Sequence, residues 1–272
     1  MSKIGIIAGG GILPIAIGNN LIEKKYNIIF FVIEDYYNDN LYKNFTTKII
    51  NLHSAKKILE ILKDNNIKNI IMVGNIKRPS LTDLSFDFQT FKLAKDLLFN
   101  KTGDNDLLLS LKKFFNDNGF NYFDWKQYCP ELFTNNDHLT IKKPSEKAKK
   151  NLIKALSVFK SYGKLDIGQS VIVQNQIIIG LEAVEGTDNL ILRCKDLKKS
   201  GDKGVLVKLS KYNQSNILDI PTIGEKTINL LNQNDYEGVF LEKNQCIILD
   251  KQKTIDLANQ SKIFISTCSK IE

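Results

Sequence analysis

Glu182, Glu185 and Asp188 stand three residues apart in Gly180-Leu181-Glu182-Ala183-Val184-Glu185-Gly186-Thr187-Asp188, directly behind an apolar run. The run Val171 to Ile179 reads as a buried strand, and Asn189-Leu190-Ile191-Leu192 resumes apolar periodicity. The acids therefore fall at a strand-to-helix turn. Carboxylates crowded there repel one another unless a positive charge answers them. Mg2+ suits them best, because it takes one or two carboxylates, keeps several waters and completes its shell with substrate phosphates. The same residues also suit a solvated turn in which Thr187 or Asp188 caps the next helix.

Three further segments carry candidate chemistry. Gly5-Ile6-Ile7-Ala8-Gly9-Gly10-Gly11-Ile12-Leu13-Pro14 sets three glycines between a strand and a helix, where backbone N–H groups and the helix N-terminus can approach an anion. It is similar to the dinucleotide fingerprint without matching it, since Pro14 stands where the last glycine belongs, which favours a nucleotide over nicotinamide. Glu34-Asp35 ends the second strand where a ribose-binding acid is expected. Lys77 and Arg78, in Gly74-Asn75-Ile76-Lys77-Arg78-Pro79, follow the third strand at the same sheet edge and could grip a phosphate. Lys208, Asn213, Gln214 and Asp219 surround a loop ending in Asp219-Ile220-Pro221-Thr222, where Pro221 keeps Ile220 extended and so restricts the neighbouring carboxylate; Thr222 also reads as a helix cap. Asp106, in the polar turn Gly103-Asp104-Asn105-Asp106, caps a helix as readily as it touches a cation. His53 and His138 have no triad-like partner and no Gly-x-Ser-x-Gly elbow is present, which argues against serine-histidine nucleophilic chemistry.

The elements that position these residues alternate. Lys3 to Ala8, Asn27 to Ile33 and Asn69 to Gly74 read as apolar strands, separated by a helix through Leu13, Ile17 and Leu21 and another over Ser54 to Lys63. That βαβαβ order predicts a parallel sheet covered on both faces. Residues 80–99 read as helix, with Phe86, Phe88 and Phe91 joining Phe99, Phe114 and Phe115 in an aromatic stripe that suits a core, and 106–116 as another helix. Beyond Ser145 come a helix to Phe159, a strand pair over 170–185, a helix near 189–199, a strand at Gly204 to Lys208, a helix near 223–233, strands at 238–241 and 245–249, and a last helix and strand. The fold class predicted is α/β, with a Rossmann-like domain over 1–130, a linker over 131–144 and a second α/β domain over 145–272.

With 272 residues, 43% hydrophobic and 25% charged, the chain has ordinary globular composition. Its four cysteines lack metal or disulfide spacing, which implies a reducing cytoplasm, and no segment reads as a signal peptide or membrane span. A net charge of +8 suggests an anionic partner, although the lysine excess follows an AT-rich composition and the basic residues are not interleaved with aromatics as nucleic-acid binding would require.

GIIAGGGILP at 5–14, GNIKRP at 74–79, GDNDLLL at 103–109, GLEAVEGTDNLILR at 180–193 and LDIPTIGEKTI at 218–228 together resemble the LpxI-type UDP-2,3-diacylglucosamine pyrophosphatases of lipid A biosynthesis. That resemblance covers nearly the whole chain. It implies a Rossmann-like domain joined to a C-terminal domain of its own fold, a lipid nucleotide bound between them, and Mg2+-dependent release of UMP and 2,3-diacylglucosamine 1-phosphate. It places Asp219 in the catalytic position, with Glu182, Glu185, Thr187 and Asp188 in the acidic site; Mg2+ is then expected on some of Glu182, Glu185, Asp188 and Asp219, with Glu185, Asp188 and Asp219 the favoured metal ligands. It assigns substrate contacts to Gly9, Gly10, Gly11, Leu13 and Pro14, to Lys77, Arg78 and Pro79, and to Gly186, Thr187, Lys208 and Thr222. No nucleic-acid partner is expected; the acyl chains and the basic exterior lead to an expected peripheral contact with the inner membrane of a Gram-negative bacterium, and a homodimer is a further expectation that no residue decides. One departure motivates a second reading: Ser215 stands where the family commonly has an acid after Gln214, so a lipid-nucleotide sensor without turnover is the alternative.

Overall fold

The computed structural model describes residues 3–76, 104–162, 167–211 and 220–270, with the backbone alone for 104–108. They form two compact units, Met1–Pro130 and Glu131–Glu272. The first is built on five parallel strands, β1 (Lys3–Ala8), β2 (Asn27–Ile33), β3 (Thr47–Ile50), β4 (Asn69–Val73) and β5 (Asn121–Tyr122), in the order β3-β2-β1-β4-β5. Apolar side chains on both faces of β1, β2 and β4 are buried, as a sheet covered by helices requires. The described helices are α1 (Leu13–Glu23), α2 (Asp39–Tyr42), α3 (Ala55–Asp64) and α4 (Asp104–Asp117). Ser54 caps α3 by accepting from the Lys57 amide, so His53 sits in the turn before the helix. Phe114 and Phe115 are buried, as expected of core residues, and the rest of the aromatic stripe lies outside the described residues.

The second unit carries a mixed sheet ordered β12-β10-β8-β6-β7: β6 (Ser170–Gln174), β7 (Ile177–Leu181), β8 (Val205–Lys208), β10 (Gly238–Glu242) and β12 (Phe264–Cys268). β9 (Thr222–Ile223) and β11 (Ile247–Ile248) form a separate parallel pair. Alternation along β8 sends Val205 and Val207 to one face, against Ala155, Leu156 and Phe159 of α5 (Glu146–Tyr162). Leu206 goes to the other, against α6 (Gly186–Lys195), α7 (Glu225–Gln233) and α8 (Lys251–Gln260). Only β6 runs against its neighbours, so β7, β8, β10 and β12 all end at one edge, where β6 begins.

Residues 131–144, read from the sequence as a linker, are hydrogen-bonded within this second unit. The Thr134 amide donates to the Cys246 carbonyl at 3.1 Å and the Leu139 amide to the Ile265 carbonyl at 3.0 Å. Isolated bridges leave no periodic pattern to read. The short β3 and β5 escape a periodicity argument for the same reason. α6 begins at Gly186, earlier than the helix near 189–199 that the apolar spacing predicts.

At the opposite edge, Asn175 and Gln176 both adopt positive φ, 51° and 60°, in the two-residue β6–β7 turn. Asp202 fixes that turn: its carboxylate accepts from the Asn175 amide at 2.9 Å, the Gly204 amide at 2.8 Å and the Asn151 side chain at 3.1 Å. Asp202→Ala strands those donors and is expected to cost about 2–4 kcal/mol, read as a lower midpoint in urea with an unchanged slope.

Candidate active site

The carboxyl edge of the second sheet gathers polar side chains that the strands deliver side by side. Lys208, the last residue of β8, pairs in register with Ser170, the first of β6. Glu182 follows β7 and its amide donates to the Ser170 carbonyl at 2.9 Å. Thr187, in the first turn of α6, joins them: its hydroxyl donates to Glu182 Oε1 at 3.0 Å, lies 3.2 Å from Ser170 Oγ, and accepts from Lys208 Nζ. Because the Thr187 proton goes to Glu182, Ser170 is the donor of the second contact. Lys208 is only 6% exposed, yet among the described residues its ammonium meets a hydroxyl and no carboxylate. A buried ammonium with a neutral partner is a site for an anion.

The other two acids of the sequence triplet are answered from within the chain. Glu185 pairs with Arg193 at 2.7 Å and also accepts from the Ala183 amide at 3.1 Å. Asp188 pairs with Lys226 at 2.9 Å and accepts from Thr227 Oγ1 at 3.2 Å. Glu185 occupies the N-cap position of α6 and makes no capping bond there, so neither Thr187 nor Asp188 is the cap. The Arg193 hydrogen bond holds the Glu185 carboxyl below its ordinary range, and Asp188 raises the Lys226 ammonium. A depressed acid contributes stability above its unfolded pKa of about 4.3 and loses it as pH falls through the lower folded value. Arg193→Ala is therefore expected to return the Glu185 titration to the ordinary carboxylate range, followed by NMR; an unmoved titration would show that Arg193 is not the cause.

A divalent ion fits these donors as a guest with few protein ligands. Among the described residues no three His, Cys, Asp or Glu side chains are grouped to hold a metal. Among the described residues Glu182 Oε2 is buried without a hydrogen-bond partner, while Glu185 and Asp188 would exchange Arg193 and Lys226 for the ion. One or two carboxylates, with phosphate and water for the remainder, is the donor set Mg2+ accepts.

In the first unit the glycine loop follows β1 at the carboxyl edge of the sheet, beside the end of β4. The Gly9 amide donates to the Val73 carbonyl at 2.9 Å, and Gly10 and Asn75 exchange amide-to-carbonyl bonds at 2.8 and 2.9 Å. Those two amides are thus engaged, whereas Gly11, with φ of 94°, is exposed ahead of the start of α1. Leu13 opens α1, and Pro14, buried, adds no donor. A Cβ on Gly10 would lie 2.7 Å from the Tyr36 ring, so packing also demands glycine there. Glu34 accepts from Asn51 Nδ2 at 2.9 Å. Lys77, Arg78, Pro79 and Asp219 lie outside the described residues. Thr222 is in β9 and donates to the Ile220 carbonyl at 2.9 Å; the cap position of α7 is Gly224. His138 Nδ1 lies 2.9 Å from Ser266 Oγ, a structural contact within the second unit.

Residues 3–132 match the family model described as the LpxI N-terminal domain, and 135–266 match the LpxI C-terminal domain. The chain belongs to the LpxI family. It is 26% identical over 272 residues to the UDP-2,3-diacylglucosamine pyrophosphatase LpxI of Caulobacter vibrioides, with 97% of each chain covered. It is also similar to a short chain dehydrogenase family protein from Francisella tularensis subsp. tularensis SCHU S4, at 18% identity over 60% of this chain and 66% of that one. The TM-score of 0.24 is too low to carry any argument.

This LpxI-family chain brings further residues to the same edge that sequence spacing did not single out. Glu242, ending β10, accepts from the Ser210 amide and hydroxyl, each at 2.7 Å, and Lys270 donates to Ser210 Oγ at 2.7 Å. The set anchors the chain as it leaves β8. A strand-end acid after an apolar run is the signal that also marked Glu182, and it was present at Gly238-Val239-Phe240-Leu241-Glu242. Ser170, Arg193 and Lys226 give no such signal, since each acquires its role only through pairing across elements.

Proposed function

We propose that the chain hydrolyses the pyrophosphate of UDP-2,3-diacylglucosamine to UMP and 2,3-diacylglucosamine 1-phosphate in lipid A biosynthesis, with Mg2+ as cofactor. The observation that supports this most is Lys208, a buried ammonium presented to a hydroxyl at the carboxyl edge of the sheet, in a family whose relative carries that activity in its name. Mg2+, when bound, would supply charge neutralisation on the diphosphate and a more acidic water. The remaining N–H bonds of Lys208 would take up charge growing on non-bridging oxygens, aided by the positive end of α6. Thr187 and Ser170 would orient that ammonium, and Asp219, by resemblance, would receive the proton of the attacking water as the P–O bridge breaks. Lys77 and Arg78 are assigned phosphate contacts by the same resemblance. The net charge of +8 favours action at the anionic cytoplasmic face of the inner membrane, where a diacylated substrate resides. Among the described residues no helix is long and apolar enough to cross a membrane.

The test is product release. Purified protein with Mg2+ and UDP-2,3-diacylglucosamine should yield UMP and the diacylated sugar phosphate, and excess chelator should stop it. Tight binding without UMP would instead make the chain a lipid-nucleotide sensor.

A further inference from the structure

Tyr162, the last residue of α5, and Glu182, the first after β7, each bury an oxygen that has no hydrogen-bond partner among the described residues: the phenol hydroxyl and Oε2. Buried polar atoms are rarely left so, and two in one neighbourhood point to a shared third group. Tyr162 is 8% exposed and its ring stacks on Phe159, with centroids 5.2 Å apart. Leu181, adjacent to Glu182, packs in the same apolar cluster as Tyr162. Gly168 lies against Glu182 so closely that a Cβ there would be 2.1 Å from the Glu182 carbonyl oxygen. The second carboxylate oxygen, Oε1, is already held by Thr187, which links it to Lys208.

The chemistry of the two atoms selects what can join them. A carboxylate only accepts, and a phenol beside it serves as donor. Burial raises the Tyr162 phenol above its ordinary range, and the Glu182 charge adds to it, so the hydroxyl keeps its proton. An ammonium cannot accept from the phenol, and a carbonyl cannot donate to the carboxylate. We propose that Tyr162 and Glu182 bound a subsite for a single O–H group, which accepts from the phenol and donates to Glu182 Oε2. Either a resident water or a sugar hydroxyl of the substrate supplies that chemistry, the second source resting on the function proposed above. Tyr162 is then a positioning and specificity residue, joined through the O–H group to Glu182, which itself lies two hydrogen bonds from the Lys208 ammonium.

A double-mutant cycle of Tyr162→Phe and Glu182→Gln decides it, read by thermal unfolding without ligand and with UDP-2,3-diacylglucosamine, and by hydrolysis. For a resident water, the two substitutions couple in the ligand-free protein by about 2 °C or more in Tm, and Tyr162→Phe lowers Tm. For a substrate hydroxyl, Tyr162→Phe leaves the ligand-free Tm equal or higher, coupling appears only with the lipid nucleotide, and KM rises about tenfold. Additive effects in both conditions overturn the proposal. A wild type that neither cleaves nor is stabilised by the lipid nucleotide defeats the proposed function separately, because the ligand-free cycle still reports whether the pair shares a group.

Discussion

Lys208→Met is expected to lower kcat/KM for UDP-2,3-diacylglucosamine by about 10²–10³-fold, the cost of losing one preorganised charge aimed at a developing oxyanion. Methionine keeps most of the aliphatic stem, so β8 and its neighbours Val207 and Leu209 retain their packing. The same substitution removes a buried ammonium whose described partner is a hydroxyl. Tm should therefore hold or rise, since an uncompensated buried charge destabilises a fold. Activity and stability moving in opposite directions is the signature of a residue kept for a ligand. A variant within about threefold of wild type in kcat/KM would place the phosphate elsewhere, given that a single lost charge contact is worth far more.

Asp219→Ala is expected to reduce kcat by about 10³-fold or more, within the range for removing a general base, with KM little changed. Its assignment comes from resemblance, and the described residues on either side of 212–219 are hydrogen-bonded within the second unit. Ser210 is bonded to Glu242 as the chain leaves β8, and the Pro221 carbonyl accepts from the Ile247 amide at 2.8 Å as it enters β9. Single-turnover measurements on Asp219→Ala and Asp219→Asn would separate chemistry from binding. Equal loss in both variants points to the lost proton acceptor. A large rise in KM with kcat preserved would make Asp219 a binding residue.

Most sheet strands and helices of both units, the short β3 and β5 excepted, were legible because their signals are local. Buried parallel strands announce themselves as apolar runs such as Asn27 to Ile33. What the sequence could not disclose is pairing. Three acids at 182, 185 and 188 read as a cluster short of a cation, yet Arg193 comes from within α6 and Lys226 from α7 to neutralise two of them. Among these three the acid with an oxygen that lacks a partner is Glu182; it bonds Ser170 and Thr187, and Lys208 reaches it only through Thr187, so the set derives from separate segments that tertiary pairing brings together. The glycine loop shows the same dependence on pairing. Three adjacent glycines suggest a row of open amides, but Gly9 and Gly10 are engaged by Val73 and Asn75, 64 and 65 residues away, a contact that local sequence cannot foretell.

The most direct measurement is the density of UDP-2,3-diacylglucosamine bound to the Asp219→Ala protein in a crystal. The account predicts a diphosphate oxygen within hydrogen-bond reach of Lys208 Nζ, at about 2.7–2.9 Å, with Thr187 alongside. A diphosphate remote from Lys208, with Glu182 and Thr187 untouched, would contradict it.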